Sequence, residues 1–166
     1  MRIMEPDIIL CDIIAQEMSL DPTRIVVYSE NFKAPSDPEI YIIVRKNPSR
    51  VIGSNRSFDP DTDEEIKSVV LNETYDVEIS SKNRTAQERY YEVIMALTSV
   101  YSQQMQEEHN IRIFRTSDVQ DLTLIEGASS LRRYLIPVII DRVEIKRTAI
   151  TPITSFPQTE VVINGS

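Results

Sequence analysis

The sequence predicts an α+β fold, a mostly antiparallel sheet packed against one long helix and an N-terminal helix. Three observations carry this expectation. From Thr85 to Glu108 apolar residues recur at three-and-four spacing (Ala86, Tyr90, Val93, Ile94, Leu97, Val100, Tyr101, Met105), which gives a helix one buried face. Lys67–Ile79 alternates, with Val69, Leu71, Tyr75, Val77 and Ile79 on one side and Ser68, Asn72, Thr74, Asp76 and Glu78 on the other. That is the pattern of an antiparallel strand with one wet face. The order helix, strands, loop, strand, helix, strands completes the α+β reading.

Taken in order, Glu5-Pro6-Asp7 opens a helix over residues 6–18. Proline is tolerated in a first turn, and both carboxylates lie at the positive end of the dipole. Ile9, Leu10, Ile13, Ile14 and Met18 form its core side, with Cys11 at the margin. Asp21-Pro22 ends the pattern, and Arg24–Tyr28 reads as a short strand. A turn-rich connection over 29–38 leads to a strand at Glu39–Lys46, with Ile40, Ile42 and Val44 on one face. Asn47–Glu65 lacks periodicity and is expected to be a long loop, which in a compact domain is usually a contact element.

The main helix is expected to run unbroken for roughly 36 Å at 1.5 Å per residue. Thr85 and Glu88 supply a capping box at its start. Asn110 offers a stop, Ile111–Phe114 a short strand, and Ser117-Asp118 a polar connection ending near Gly127. Leu131–Ile145 reads as a second long strand, in which Pro137 must lie at an edge or a bulge because it has no N–H to donate. Residues 1–150 are therefore expected to form a single domain and 151–166 a C-terminal extension. The apolar piece Val161–Ile163 in that extension either pairs with a neighbour or stays mobile.

A net charge of −8 argues against a nucleic-acid-binding surface, since phosphate affinity comes mainly from clustered Lys and Arg. Cys11 is the lone cysteine, so no intrachain disulfide is possible and nothing asks for an oxidising compartment. No apolar run approaches a membrane span, and the basic-then-apolar layout of a signal peptide is missing, which predicts a cytoplasmic site of synthesis. With only three Gly, a glycine-rich phosphate-binding loop is nearly excluded.

His109, the only histidine, falls at a helix C-terminus, where an imidazolium complements the dipole; a catalytic base would need a partner and an orienter that the local sequence does not supply. Cys11 reads as a core or near-core thiol. Asp59-Pro-Asp-Thr-Asp-Glu-Glu65 starts like a calcium loop but has Glu64 where the sharp turn needs Gly and Val70 where a bidentate Glu belongs. A solvated acidic loop is the expectation, with no metal and no cofactor. Arg132, Arg133, Arg142, Lys146 and Arg147 read as the wet side of a strand, interleaved with Asp141 and Glu144. Tyr91 and Met95 lie one turn apart on the side opposite the main apolar stripe, and are either covered by a loop or form a subunit contact. Gly53, Asn55 and Phe58 in the expected loop, and Pro137, complete the candidate contacts. No nucleophile with its base is visible, so no enzyme is expected, although two converging carboxylates in a deep pocket would revive a hydrolase.

The layout carried by Ile8–Met18, Ile40–Asp59, Tyr75–Ser99 and Ile111–Ile140 resembles the tail terminator, or neck terminator, proteins of tailed bacteriophages. The resemblance runs from about Ile8 to Ile145 and rests on layout rather than on one motif. It implies a homo-oligomer, a hexameric ring on the head-proximal end of the tail tube that stops tube polymerisation. The implied partners are the tail tube protein and the head–tail connector protein, with DNA passing through the ring without specific binding. It also implies a virion location in the tail or neck, assembly in the host cytoplasm, and no catalytic residues. A head–tail connector or tail-completion subunit, and a cellular protein-interaction domain, remain compatible with the same residues.

Overall fold

The computed structural model describes residues 4–126 and 129–150, and the expected extension at 151–166, with Val161–Ile163, lies outside them. Helix α1 (Pro6–Met18) begins with Pro in its first turn and ends at Ser19 in the left-handed region, φ 51°. Asp21 accepts from the Thr23 backbone N–H and leads through a 3₁₀ turn at Pro22–Arg24 into β1 (Ile25–Val27). Then come β2 (Tyr41–Asp59), β3 (Glu64–Ser81), α2 (Thr85–Leu97), α3 (Val100–His109), β4 (Ile111–Arg115), β5 (Gln120–Asp121), β6 (Leu124–Glu126) and β7 (Ser129–Ala149).

The strands form one mixed sheet in the order β1-β2-β3-β7-β4, with β5 and β6 also pairing with β7. The sequence predicts mostly antiparallel pairing, but β1 joins β2 in parallel, Ile25 opposite Ile42. The chain leaves β1 through the 28–40 connection and re-enters in the same direction. Ile9, Leu10, Ile13 and Ile14 of α1 and Val93 of α2 are fully buried with Ile42, Val44, Tyr75, Val77, Ile79, Ile136, Val138 and Ile140 of the sheet. Each large aliphatic side chain contributes about 1.5–3 kcal/mol by leaving water.

The expected single long helix is two. Thr98 caps the end of α2, and Ser99 adopts extended angles (φ −69°, ψ 165°). The Ser99 hydroxyl accepts from the Ser102 N–H at 3.0 Å, and the Ser102 hydroxyl donates to the Leu97 carbonyl at 2.8 Å. These local bonds compete with the helical ladder and start a new helix at Val100. The break re-phases the apolar stripe: Val100, expected to be buried, is 70% exposed. Replacing Ser99 by Ala should cost about 1 kcal/mol in a urea melt.

The Thr85/Glu88 capping box does not form either. Arg84 is the N-cap residue without a side-chain cap. Asn83 Oδ1 and Ser81 Oγ accept from the Thr85 and Ala86 N–H groups instead, each at 2.9 Å.

The expected loop at 47–65 is a β-hairpin. β2 continues to Asp59 and β3 starts at Glu64, paired throughout except at register shifts between Lys46 and Ser49 and between Val51 and Gly53. The turn is closed by Asp59 Oδ1 accepting from the Asp61 N–H, with Asp63 at φ 52°. Two bulges break the period-two pattern, and both faces of this stretch are wet, so no alternation survives to be read.

Pro137 is neither on an outer edge nor at a bulge. β7 is an inner strand, and β4 ends opposite Val138 while β5 begins opposite Leu135, so Pro137 sits in the gap between them. Its carbonyl accepts from the Thr116 N–H across that gap, and no ladder donor is needed there.

Candidate assembly surface

Beyond Glu73 the sheet continues as an arm made of the outer parts of β2, β3 and β7, which β4 flanks only as far as Arg142. Its rows run from Ser49–Glu73–Ile140 to Asp59–Glu64–Ala149. At about 3.3 Å per residue the Glu64–Glu73 segment spans on the order of 30 Å. The arm exposes Val51, Ile52, Phe58, Val143 and Ile145 at 42–62%. Its tip is tied by charges: Glu65 pairs with Lys67 at 2.9 Å and with Arg56, and Arg147 meets Glu64 at 3.4 Å.

At the base of the arm lies a buried polar cluster. Glu73 is 1% exposed. Its Oε1 accepts from Lys46 Nζ at 2.8 Å, Ser49 Oγ at 3.3 Å and Arg142 Nη2 at 3.2 Å, and its Oε2 accepts from Tyr75 Oη at 2.9 Å. Arg142 Nε lies 3.2 Å from Oε2 without the alignment of a hydrogen bond. Burial alone would push the Glu73 carboxyl up, but the Lys46 and Tyr75 hydrogen bonds and the charges of Arg142 and Lys46 outweigh it and hold the group below the usual carboxylate range. Burial, reinforced by Glu73, pushes the Tyr75 phenol up. The cluster locks the three strands together. It has no His or Cys, and it is closed by its own partners rather than open to a substrate.

The predicted contact residues do not gather into one site. Gly53, Asn55 and Phe58 follow one another along the outer strand of the arm, Gly53 half-buried against Val70 and Phe58 56% exposed. Tyr91 and Met95 lie on α2, 50% and 63% exposed, so no described residue closes over them. The Tyr91 ring meets Tyr90 edge-on at 6.3 Å, and Tyr90 stacks on Tyr134 at 4.7 Å, which anchors the pair to the sheet. Pro137 is buried, so the surface does not offer it to a partner.

Glu73 has no place in the sequence reading, although its parity with Leu71 and Tyr75 on the apolar face was the available signal. Val51, Ile52, Val143 and Ile145 were hidden by the bulges and by the two-sided exposure of the arm.

His109 ends α3 as expected. Cys11 is half-buried, and burial with the nearby charges of Asp7 and Asp12 pushes its thiol up to about 12, which removes the thiolate that reactivity needs. Arg133 grips Glu78 through two bonds of 3.0 and 2.8 Å, and Arg142 bonds Glu144 at 2.6 Å, so these strand cations are matched rather than gathered into a basic patch. Among the described residues no group of three or more His, Cys, Asp or Glu could hold a metal ion. No helix among them is long and apolar enough to cross a membrane. A cleft of about 520 Å³ between α3 and β7 is lined by Gln103, Gln106, Asn110 and Arg112 and by two carboxylates, Glu107 and Asp141, of which Asp141 already accepts from Asn72 Nδ2 at 2.6 Å.

An α+β core carrying an arm that stays exposed among the described residues, with the buried Glu73 paired to Lys46 and Arg142, has the layout of a structural subunit. The chain belongs to the phage neck terminator protein family, whose model matches residues 8–166. It is thus a structural protein of the phage tail, placed in the tail or neck of the virion. No curated protein matches the chain.

Proposed function

We propose that the protein assembles in the host cytoplasm as a ring, a hexamer, on the head-proximal end of the tail tube. The ring ends tube polymerisation and joins the tube to the head–tail connector. Membership of the neck terminator family over nearly the whole chain is the observation that carries this reading. The arm supports it, because among the described residues Phe58, Val143 and Ile145 stay exposed on it, apolar surface of the kind that marks an interaction site. The net charge of −8 supports a channel through which DNA slides without adhering.

Native mass spectrometry of the chain alone and with the tail tube protein tests the reading. A six-subunit ring, formed alone or on tube ends, supports it, and a monomer indifferent to the tube overturns it. A ring that binds the connector but ignores the tube would make the protein a connector-side subunit instead.

Tyr91 and Met95 are proposed as contact residues on the helical side, and Gly53, Asn55 and Phe58 on the arm. Replacing Tyr91 and Met95 together by Ser should raise the concentration needed for assembly at least about tenfold, because exposed aromatic anchors dominate interfaces. The urea stability of the monomer should move by less than about 0.5 kcal/mol. An equal loss of monomer stability would assign the pair to the core.

A further inference from the structure

The arm carries two open strand edges, one on each side, and they match. On the β2 side, β1 covers only Ile42–Val44, and among the described residues nothing pairs beyond it. On the β7 side, β4 stops opposite Arg142, and among the described residues nothing pairs with Val143–Ala149. Through β3 the two open segments lie level. Gly53, Val70 and Val143 form one row, and Asp59, Glu64 and Ala149 form another. Lower on β2, the edge is interrupted by Pro48 and two bulges, which are common devices against edge pairing. Neither device interrupts Gly53–Asp59 or Val143–Ala149.

The direction of the free groups follows from bonds already made. The carbonyls of Pro137 and Arg133 accept from Thr116 and Leu122, away from β3. The β3–β7 register is unbroken, so Val143, Ile145 and Arg147 also point their N–H and C=O groups to the open side. The Val44 carbonyl accepts from Tyr28, away from β3. Carried through the β3 register, this leaves Ser54, Arg56 and Phe58 directed outward on β2. A groove of about 260 Å³ lined by Met4, Pro6, His109 and Ile145 lies beside the β7 edge.

We propose that the outer β2 edge of one copy pairs with the open β7 edge of the next, so that the arms join into one continuous sheet around the ring. The inference rests on the ring reading and names the surfaces that would close it. β2 and β7 both run antiparallel to β3, so they run in the same direction. Rotation about a ring axis keeps that direction, and the contact is a parallel, head-to-tail one that propagates from copy to copy until it closes.

Charge selects the register. Level pairing sets Arg56 against Lys146. A stagger of two residues keeps every side chain on its own face and sets Arg56 opposite Glu144 and Asp59 opposite Arg147. The same stagger at each junction supplies the strand tilt that a closed sheet requires.

Hydrogen exchange on the full-length wild-type chain, unassembled and assembled, tests the pairing. The amides of Ser54, Arg56, Phe58, Val143, Ile145 and Arg147 should slow at least about tenfold on assembly. Ile145→Pro removes an outward donor without removing a bond to β3 and should abolish the ring, whereas Ile145→Ala should keep it. A ring formed by Ile145→Pro as by wild type overturns the pairing. So do amides already slow in the unassembled chain, which would mean that residues 151–166 of the same chain cover the edge. Protection that appears only when tube protein is added to a preformed ring also overturns it, by making the tube the occupant. A wild-type chain that never assembles overturns the ring reading and this pairing together, while a ring whose edge amides stay fast overturns the pairing alone.

Discussion

Replacing Glu73 by Ala is expected to lower the unfolding free energy by about 3–5 kcal/mol, the cost of breaking a buried ion pair by removing one partner. Arg142 has a side chain only 14% exposed and would keep just Glu144, while Lys46 and Tyr75 would lose their acceptor. Chemical denaturation at neutral pH measures this directly. A loss under about 1 kcal/mol would mean that water replaces the carboxylate and that the cluster is not closed. Glu73→Gln separates charge from packing. The folded-state pKa of Glu73 lies below its unfolded value, so its stabilisation is complete above about pH 4.3 and fades as pH falls through the folded value beneath it. Wild type should therefore lose more stability than Glu73→Gln on acidification through that window, and parallel curves would show that Glu73 does not carry the charge assigned to it.

Shortening the arm should have the opposite profile. Replacing Arg56–Lys67 by Asn-Gly joins Asn55 to Ser68, which are already opposite one another, through a turn suited to two-residue hairpins. The segment removed contains the exposed Phe58 and the tip ion pairs, and none of the residues of the main buried cluster. Surface pairs of this kind contribute about 0–1 kcal/mol each, so the monomer should melt nearly as wild type does. Assembly, read by native mass spectrometry, should weaken at least about a hundredfold, equivalent to about 2.7 kcal/mol. Full assembly by the shortened chain would remove the arm from the interface and leave the helical pair Tyr91 and Met95 as the contact.

The two variants mark what the sequence shows and what it hides. α1 is legible to the residue, because Pro6 sets its start and a continuous apolar side runs to Met18. The core half of β3 is legible because one face is dry, and Asn110 stops α3 in the left-handed region, φ 50°, as asparagine allows. The arm is not legible, since a strand wet on both faces and bulged twice has no period to display. The helix break is written in Thr98-Ser99, but those residues are also tolerated inside helices, and only the Ser102 bond to Leu97 decides the matter. Glu73 was hidden by the regularity of its neighbours. A charge on an apolar face reads as an interruption until Lys46 and Arg142, distant in sequence, are seen to converge on it.

The central position of β3 also sets a timetable for synthesis. Its partner β7 pairs Arg132 with Ser81 and Ala149 with Glu64, so three helical turns of α2, then α3 and β4, leave the ribosome before the second side of β3 can close. At about 5–20 residues per second that interval is on the order of several seconds. Throughout it the nascent chain has neither its finished arm nor the arginine that neutralises Glu73. A product interrupted before β7 therefore carries a strand unpaired on one side and a Glu73 whose one remaining cation is Lys46, so the arm and its charge balance are completed together by the last strand.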